Sequence, residues 1–380
     1  MQLELSEEHK MIQQQVREFA EKEVKPLAKE IDAKAQFPHE TFRKAAELGF
    51  TGVYIPEKYG GAGLDHIAYS ILIEEVSRVC ATTGVILSVV NTLFCDPILR
   101  FGSEEQKKRY VIPHARGERI GCYALTEPQA GSDAGNQKST AVRKGDRYIL
   151  NGTKCWVTNG AVADDAILYA VTDPAKGSKG ISAFIVERGF PGFKVGAEEK
   201  KMGLQASATC ELVLEDCEVP VENLLGEEGM GFRIALRTLD DGRAGIAAQA
   251  TGIAQGAFEE ALKYAKERVA FGQPIAQFQA ISFMLADMAT EIHAARLLTR
   301  RVAWLQDHAE RYTMEASMAK LFASEMAQRV CHKAVQIHGG YGFSREYPVE
   351  RMYRDQRVTE IYEGTSEIQR LVIARHLLAT

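Results

Sequence analysis

The stretch Arg357-Val358-Thr359-Glu360-Ile361-Tyr362-Glu363-Gly364-Thr365-Ser366-Glu367-Ile368-Gln369-Arg370 separates two long helical patterns near the end of the chain. Inside it the apolar periodicity breaks, and a carboxylate stands directly before a glycine. Glycine permits backbone dihedrals and close approaches that a side chain would block. Glu363 is therefore placed to project from a loop into a cavity, with Gly364 admitting a ligand beside it. Thr365 and Ser366 are set either to bond a polar ligand or to cap the helix that resumes at Glu367. A helix–turn–helix carrying a solvated glutamate fits the same residues, so the rest of the chain has to separate the two.

Outward from this loop, apolar residues recur at helical spacing over about 232–268, 275–307, 314–337 and 367–378. Four long helices joined by short loops form a bundle. Gly226-Glu227-Glu228-Gly229-Met230-Gly231 marks the boundary in front of it. Upstream the pattern turns to short strands at 166–171, 181–186 and 209–214, and the run 147–160 predicts two strands around an Asn151-Gly152 turn. These make a small all-β unit, sandwich or barrel. The first part of the chain is helical. Ser6 caps a helix carrying Met11, Ile12, Val16, Phe19 and Val24, which Pro26 interrupts. Further helices are predicted at 38–48, 67–79 and 83–101, and a capping box at Ser103 and Gln106 opens another that Pro113 and Gly117 end. The fold class is α+β multidomain: an N-terminal all-α domain over 1–120, a middle β domain over 121–228 and a C-terminal four-helix bundle over 229–380.

Composition narrows the functional classes. A hydrophobic fraction of 46% over 380 residues is enough to bury a sizeable core. A net charge of −5 does not suggest a nucleic-acid partner. The seven cysteines contain no C-x-x-C pair and are odd in number, which argues for a reducing compartment rather than a disulfide framework. The N-terminus is acidic and lacks an apolar core, unlike a signal peptide, and no apolar run is expected to approach the roughly 20 residues of a membrane span. The expected location is cytoplasmic. No G-x-G-x-x-G follows a strand, and G-x-x-x-x-G-K-[ST], H-E-x-x-H and G-x-S-x-G are absent, which disfavours Rossmann, P-loop, zinc-protease and hydrolase chemistry. The nine histidines are dispersed and make no metal set.

Five places carry polar or aromatic groups in patterns that suit a site. Tyr123-Ala124-Leu125-Thr126-Glu127-Pro128-Gln129-Ala130-Gly131-Ser132-Asp133 offers backbone donors and hydroxyls to a polar heteroaromatic or phosphate, or is a surface turn. In Trp156-Val157-Thr158-Asn159-Gly160 the Trp156 ring and the Thr158 hydroxyl share one strand face, unless Trp156 is a core residue. Gln336-Ile337-His338-Gly339-Gly340-Tyr341-Gly342-Phe343 is either a glycine helix stop or a close approach to a phosphate or ribose. Asp240 and Arg243, three apart on a helix, share a face and otherwise form a surface ion pair. Asp96, in the apolar run Leu93-Phe94-Cys95-Asp96-Pro97, is a local cap before a proline kink or a carboxylate facing a cavity.

Together these residues resemble the acyl-CoA dehydrogenase family of flavoproteins, over essentially the whole chain. Two family signatures stand at Ala124 to Asp133 and at Gln336 to Asp355, the latter with Gly339, Gly340, Gly342, Glu346 and Arg351, and Ile361 to Ser366 is similar to the family's catalytic loop. Asn136 departs from the first signature's tail, where a smaller residue is usual. The resemblance implies non-covalent FAD, with Tyr123, Leu125, Thr126, Gly131, Ser132, Trp156, Val157 and Thr158 around the isoalloxazine. It implies that Arg268, Gln279, Gln336, Gly339 and Gly340 reach the FAD of a neighbouring subunit in a homotetramer, and that Thr365, Ser366 and Glu367 also touch FAD. Ser132, Asp240, Arg243 and Gly364 would contact the acyl-CoA, and Glu363 would be the base that takes the α-proton. Some members carry the base on the bundle helix instead. That position is Gly242 here, which cannot serve.

The run 366–374 is similar to short-chain (butyryl-CoA) dehydrogenases, with an electron-transferring flavoprotein as the implied electron acceptor. Asp96 stands where compared short-chain members have a small residue. It keeps open a cyclic acyl-CoA substrate, such as cyclohexane- or cyclohexene-carboxyl-CoA. Two competing functions share the flavin site: an oxidase that uses oxygen, and a non-catalytic flavin-binding assembly subunit.

Overall fold

The computed structural model describes residues 4–379. The N-terminal helices are α1 (Glu7–Phe19), α2 (Lys25–Lys34), α3 (His39–Glu47), α4 (His66–Val79), α5 (Ala81–Ser88), α6 (Asp96–Phe101), α7 (Glu104–Gln106) and α8 (Ile112–Ala115). The strands follow as β1 (Gly121–Ala124), β2 (Thr140–Lys144), β3 (Arg147–Val157), β4 (Asp165–Val171), β5 (Ile181–Glu187), β6 (Phe193–Glu198), β7 (Cys210–Pro220) and β8 (Leu224–Leu225). The C-terminal part holds α9 (Gly231–Glu267), the short pair β9 (Val269–Ala270) and β10 (Gln273–Pro274), then α10 (Gln279–His308), α11 (Thr313–His338), α12 (Pro348–Gln356) and α13 (Ser366–Leu378).

The local signals act where they stand. Ser6 Oγ accepts from His9 N, and Ser103 with Gln106 closes both bonds of a capping box. Pro26, Pro97 and Pro113 do not end their helices. Each falls in the first turn of a helix that follows a widened, π-type turn, where its missing N–H costs no hydrogen bond. As a result 81–101 is one continuous helical rod. Its 21 residues, Ala81–Phe101, are long and apolar enough to cross a membrane, contrary to the sequence expectation, and 94% of the most apolar window is buried inside the fold. It is a core helix, clamped between the bundle and the β domain.

The eight strands form one mixed sheet in the order β6-β7-β3-β2-β4-β5-β8, with β1 parallel to β4. The Asn151-Gly152 turn is corrected: β3 is a single strand of 11 residues that runs through it. The hairpin turn lies earlier, at Gly145-Asp146, where Lys144 pairs with Arg147. Asn151-Gly152 is instead a register shift against β7. Gly152 takes φ 148° with Ser139 packed where a Cβ would sit, and Asn151 bonds the side chain and backbone of Asp216. The partner strand is longer than expected too, reaching Pro220, because alternate burial continues along it. Similarly, 275–277 is a separate 3₁₀ turn, and α10 starts at Gln279.

Helix α9 is the spine. Its 37 residues span about 55 Å at 1.5 Å per residue and touch α4, α10, α11, α12 and strand β5. Glycines set its approach to α4: a Cβ at Gly252 would collide with the Glu74 carbonyl, and one at Gly256 with the Arg78 carbonyl. The same contact is fixed electrostatically. Buried Arg78 donates to Glu21 on one side (2.6 Å) and to Glu259 of α9 on the other (2.8 Å). Gly256→Ala is expected to destabilise the protein by about 1–3 kcal/mol, seen as a lower midpoint in a thermal or urea scan with the flavin content of the remaining folded fraction unchanged.

Candidate active site

The loop at 361–364 is set by the end of α12 and the start of α13. Thr365 Oγ1 accepts from Ile368 N at 3.3 Å and caps α13, which begins at Ser366. Between the two helices the backbone is forced into left-handed space at two successive residues, φ 53° at Glu363 and φ 96° at Gly364. Gly364 takes this freely. Glu363 does so at a cost of order 1–3 kcal/mol, a departure that clusters at functional sites. The conformation is pinned from below. Gln369 Nε2 donates to Glu363 O (3.1 Å) and Gly364 O (2.9 Å), and Lys320 Nζ donates to Gly364 O (2.8 Å).

This backbone turns the Glu363 side chain inward. Its Oε2 is sealed from solvent and has no hydrogen-bond partner among the described residues. The solvated-glutamate reading is thereby set aside. The space it fills belongs to α9: a Cβ at Gly242 would collide with Glu363 Oε2 and lie 3.0 Å from Leu93 Cδ2. Burial pushes the Glu363 carboxyl up to about 8, opposed by the cations Lys320 and Arg243. Its charge is felt by Tyr69, Tyr123 and Tyr362, so α4, β1 and the loop itself converge on one point.

Asp240 and Arg243 are not a surface pair. They are buried, with Arg243 Nη1 donating to Asp240 Oδ1 at 2.7 Å and Thr313 Oγ1 to Asp240 Oδ2 at 2.6 Å. Arg243 Nε is buried and unpartnered. Asp96 is not a cap. Its carboxylate accepts from Arg100 Nε at 2.6 Å, and Arg100 also lies 3.5 Å from Asp241, which in turn accepts from Gln306 and Tyr312. Burial and the Asp241 carboxylate push the Asp96 carboxyl up to about 6, against the pull of Arg100.

The two β-domain motifs meet. Trp156 is not in the core: it is 59% exposed, at φ 58° beside a register shift of β3. Val157, next to it, is buried. The loop 123–133 is tied to this strand by Cys155 N donating to Thr126 O (2.9 Å) and by Lys154. Fully buried, Lys154 Nζ donates to Glu127 (2.7 Å), Gln137 (3.1 Å) and Leu125 O (3.3 Å). Glu127 also accepts from the N–H groups of Lys138 and Ser139, and its carboxyl falls to about 2 through Lys154 and these bonds, despite burial. Gly131 and Ser132 lie open at the loop's tip, with nothing within 4 Å of where a Gly131 Cβ would be.

Arg268, Gln279, Gln336, Gly339 and Gly340 are all exposed. Gln336 lies sixteen residues past Lys320 on α11, about 24 Å along the helix. Arg268, Gly339 and Gly340 line a concavity of 600 Å³ with Tyr264, His338 and Tyr341. Phe271 and Phe343 stand 97% and 90% exposed on the neighbouring turns. Of the α13 residues, Ser366 is buried with an unpartnered Oγ, and Glu367 is exposed.

Sequence reasoning passed over Lys320, Gln369 and Lys154. The signal existed for two of them. Lys320 falls on the helix face of Ala316 and Ala323, and Lys154 keeps the inward phase of Tyr148 and Leu150.

Known proteins carry the same order of helical, β and helical domains. Three family models match in order: acyl-CoA dehydrogenase N-terminal domain over 6–118, middle domain over 122–217 and C-terminal domain over 229–378. A short-chain specific acyl-CoA dehydrogenase of Clostridium acetobutylicum is 53% identical over 98% of this chain and 99% of its own. The solved butyryl-CoA dehydrogenase of Megasphaera elsdenii is 45% identical with a TM-score of 0.98, both chains fully covered. A chain from structural work on the electron transferring flavoprotein of Acidaminococcus fermentans is 50% identical, with a TM-score of 0.99 and full coverage of both.

Removing Lys154 leaves Glu127 as an unpaired buried anion. Lys154→Met is expected to cost about 3–5 kcal/mol and to lower the flavin retained per subunit, measured by the thermal midpoint and the visible absorbance of the purified protein.

Proposed function

The chain belongs to the acyl-CoA dehydrogenase family, and from that premise we propose that it converts a short straight-chain acyl-CoA to the trans-2-enoyl-CoA, with Glu363 removing the α-proton. The enzyme is an FAD-dependent acyl-CoA dehydrogenase, and relatives have been solved with the flavin bound. The residues present fit that cofactor: an exposed Trp156 ring held at a left-handed residue, an open Gly131-Ser132 tip on the loop tied to the same strand, and the orphaned hydroxyl of Ser366. When bound, FAD supplies the acceptor for the hydride that leaves the β-carbon.

The observation that carries the role of Glu363 is its donorless, solvent-sealed Oε2 on a backbone strained to aim it inward. An α C–H next to a thioester is far too weak an acid for an ordinary carboxylate. Two features narrow the gap. Burial brings the base toward the working pH, where general-base efficiency is greatest. The Glu363 N–H, which makes no bond among the described residues, is placed to donate to the thioester carbonyl and stabilise the charge that develops there. Leu93, Tyr69 and Tyr362 stand on the side of the sealed Oε2, while Glu363 as a whole is half-buried. Arg243 and Asp240, paired in the wall, are assigned to the acyl-CoA with Ser132 and Gly364.

The short straight chain is favoured over a ring by Asp96, whose carboxylate is taken up by Arg100 rather than left free for a substrate. Onward transfer of electrons to an electron-transferring flavoprotein is supported by the 50% identical chain from such work. Assembly with further copies is supported by the exposed Phe271 and Phe343 beside the Arg268 concavity. There, Arg268, Gln279, Gln336, Gly339 and Gly340 are assigned to a neighbouring subunit's flavin.

Glu363→Gln is expected to keep its FAD and to lose at least about a hundredfold in turnover; near-normal turnover would remove Glu363 as the base. Because a base must be ionised to act, kcat/KM for the wild type is expected to rise with pH and level off above about 8. Anaerobic titration with butyryl-CoA and, in parallel, cyclohexanecarboxyl-CoA is expected to bleach the flavin with the straight chain. Preferential bleaching by the ring would bring Asp96 back into the acyl pocket.

A further inference from the structure

Lys320 is a buried cation with no part in the proton abstraction itself. It sits midway along α11, fully buried, among Ala316, Ala319 and Ala323, and among the described residues it forms no salt bridge. Among the described residues its ammonium makes one hydrogen bond, to the carbonyl of Gly364 at 2.8 Å. Lysine is almost never fully buried unless it is paired. Across the same loop stands a carboxylate in the complementary condition, with Glu363 Oε2 buried and lacking a donor.

We propose that Lys320 is a positioning residue for the base: its ammonium clamps the Gly364 carbonyl beneath the loop and is the counter-charge that lets Glu363 ionise in a dry site. This rests on Glu363 being the base. Two observations independent of titration carry it: the hydrogen bond that sets the Lys320 ammonium on the carbonyl next to Glu363, and the absence, among the described residues, of a salt bridge to either group. The charged surroundings agree. The groups that face Glu363 are Lys320 from α11, Arg243 from α9, Tyr69 from α4, Tyr123 from β1 and Tyr362 of the loop. Those that face Lys320 are Glu363, Arg243, Glu360 and Glu367. Arg243 already has Asp240 at 2.7 Å, so its charge is largely answered within the wall. Glu367 lies in water on α13. Burial lowers the Lys320 ammonium, and the Glu363 carboxylate opposes that fall.

The consequence for catalysis has a definite sign. Burial alone raises the proton affinity of Glu363, which makes it a stronger base but protonates it at neutral pH. A neighbouring cation lowers that affinity, so that more of the enzyme starts a turnover with the base ionised. The clamp also serves the geometry. With Gln369, it holds both carbonyls of the left-handed pair, so the carboxylate cannot relax outward.

The test is the pH dependence of kcat/KM with butyryl-CoA for four variants, each checked for FAD content and thermal midpoint. Lys320→Met is expected to move the acid limb upward by about one pH unit, as the loss of a nearby opposite charge does. Its activity should fall about tenfold or more at pH 7 and recover in alkaline buffer. Lys320→Gln retains a donor for Gly364 without the charge. It is expected to show the same displaced limb with less loss of kcat at high pH, and it reads the charge should Lys320→Met not fold. Gln369→Leu removes the companion clamp but no charge, so kcat should fall with the limb unmoved. Wild-type limbs in both Lys320 variants would overturn the proposal, as would an equal displacement in Gln369→Leu. Glu363→Gln stands as the separate control: if it kept its turnover, the base assignment itself would fail, whereas an inactive Glu363→Gln beside unmoved Lys320 variants would sink only the role of Lys320.

Discussion

A carboxylate oxygen that is shut from water and offered no donor is among the more expensive things a fold can contain. The structure around Glu363 is arranged to hold one. The backbone is bent through two left-handed residues to aim it, two side chains grip the carbonyls of that bend, and a glycine in the longest helix leaves room for the head group. Each device belongs to a different element, α11, α13 and α9, so the bundle must be complete before the loop is strained. Dependence on the whole bundle is what allows a locally unfavourable arrangement to persist.

The same logic connects the other two parts of the chain. The β domain supplies an open platform at Trp156 and Gly131, and the platform is only as well placed as the Lys154–Glu127 pair that ties its loop to its strand. The N-terminal helices supply the wall. The rod 81–101 carries Leu93 up against Gly242, and the Arg78 network holds α4 against α9 at glycine distance. Buried ion pairs recur at these joints. They add little net stability compared with apolar packing, but a missing partner is heavily penalised, which makes the arrangement specific.

Much of this was legible in the sequence. Helical periodicity located every long helix, and the breaks at 121 and 226–231 set the helix–β–helix order, because amphipathic patterns report burial on one face. The Glu363-Gly364 pair identified the loop. What escaped reading depends on partners distant in sequence. Asn151-Gly152 has the chemistry of a turn, but a long partner strand captured it as a bulge. Pro97 has the chemistry of a helix break, but a widened turn before it absorbed the missing bond. Asp96 was ambiguous between cap and cavity, and Arg100, one turn away, resolved it as an ion pair. Trp156 and Val157 are neighbours whose exposure reverses the inward phase of Tyr148, Leu150 and Lys154, because the register shift between Lys154 and Val157, with φ 58° at Trp156, turns the strand over. Lys320 and Lys154 were hidden because a lysine in an apolar register is read as a surface residue until its counter-charge is found.

The vacancy at Gly242 also constrains how such a site can change over time. The head group of Glu363 and any side chain at 242 claim one volume. A carboxylate held in this position on the loop and a side chain on the helix at 242 therefore compete for one place. A change that moves the carboxylate from the loop to the helix passes through an intermediate in either order. Filling position 242 first displaces the resident carboxylate, and losing Glu363 first leaves no carboxylate at all. The two positions are thus bound epistatically, and the glycine is held by exclusion as firmly as the glutamate is held by chemistry.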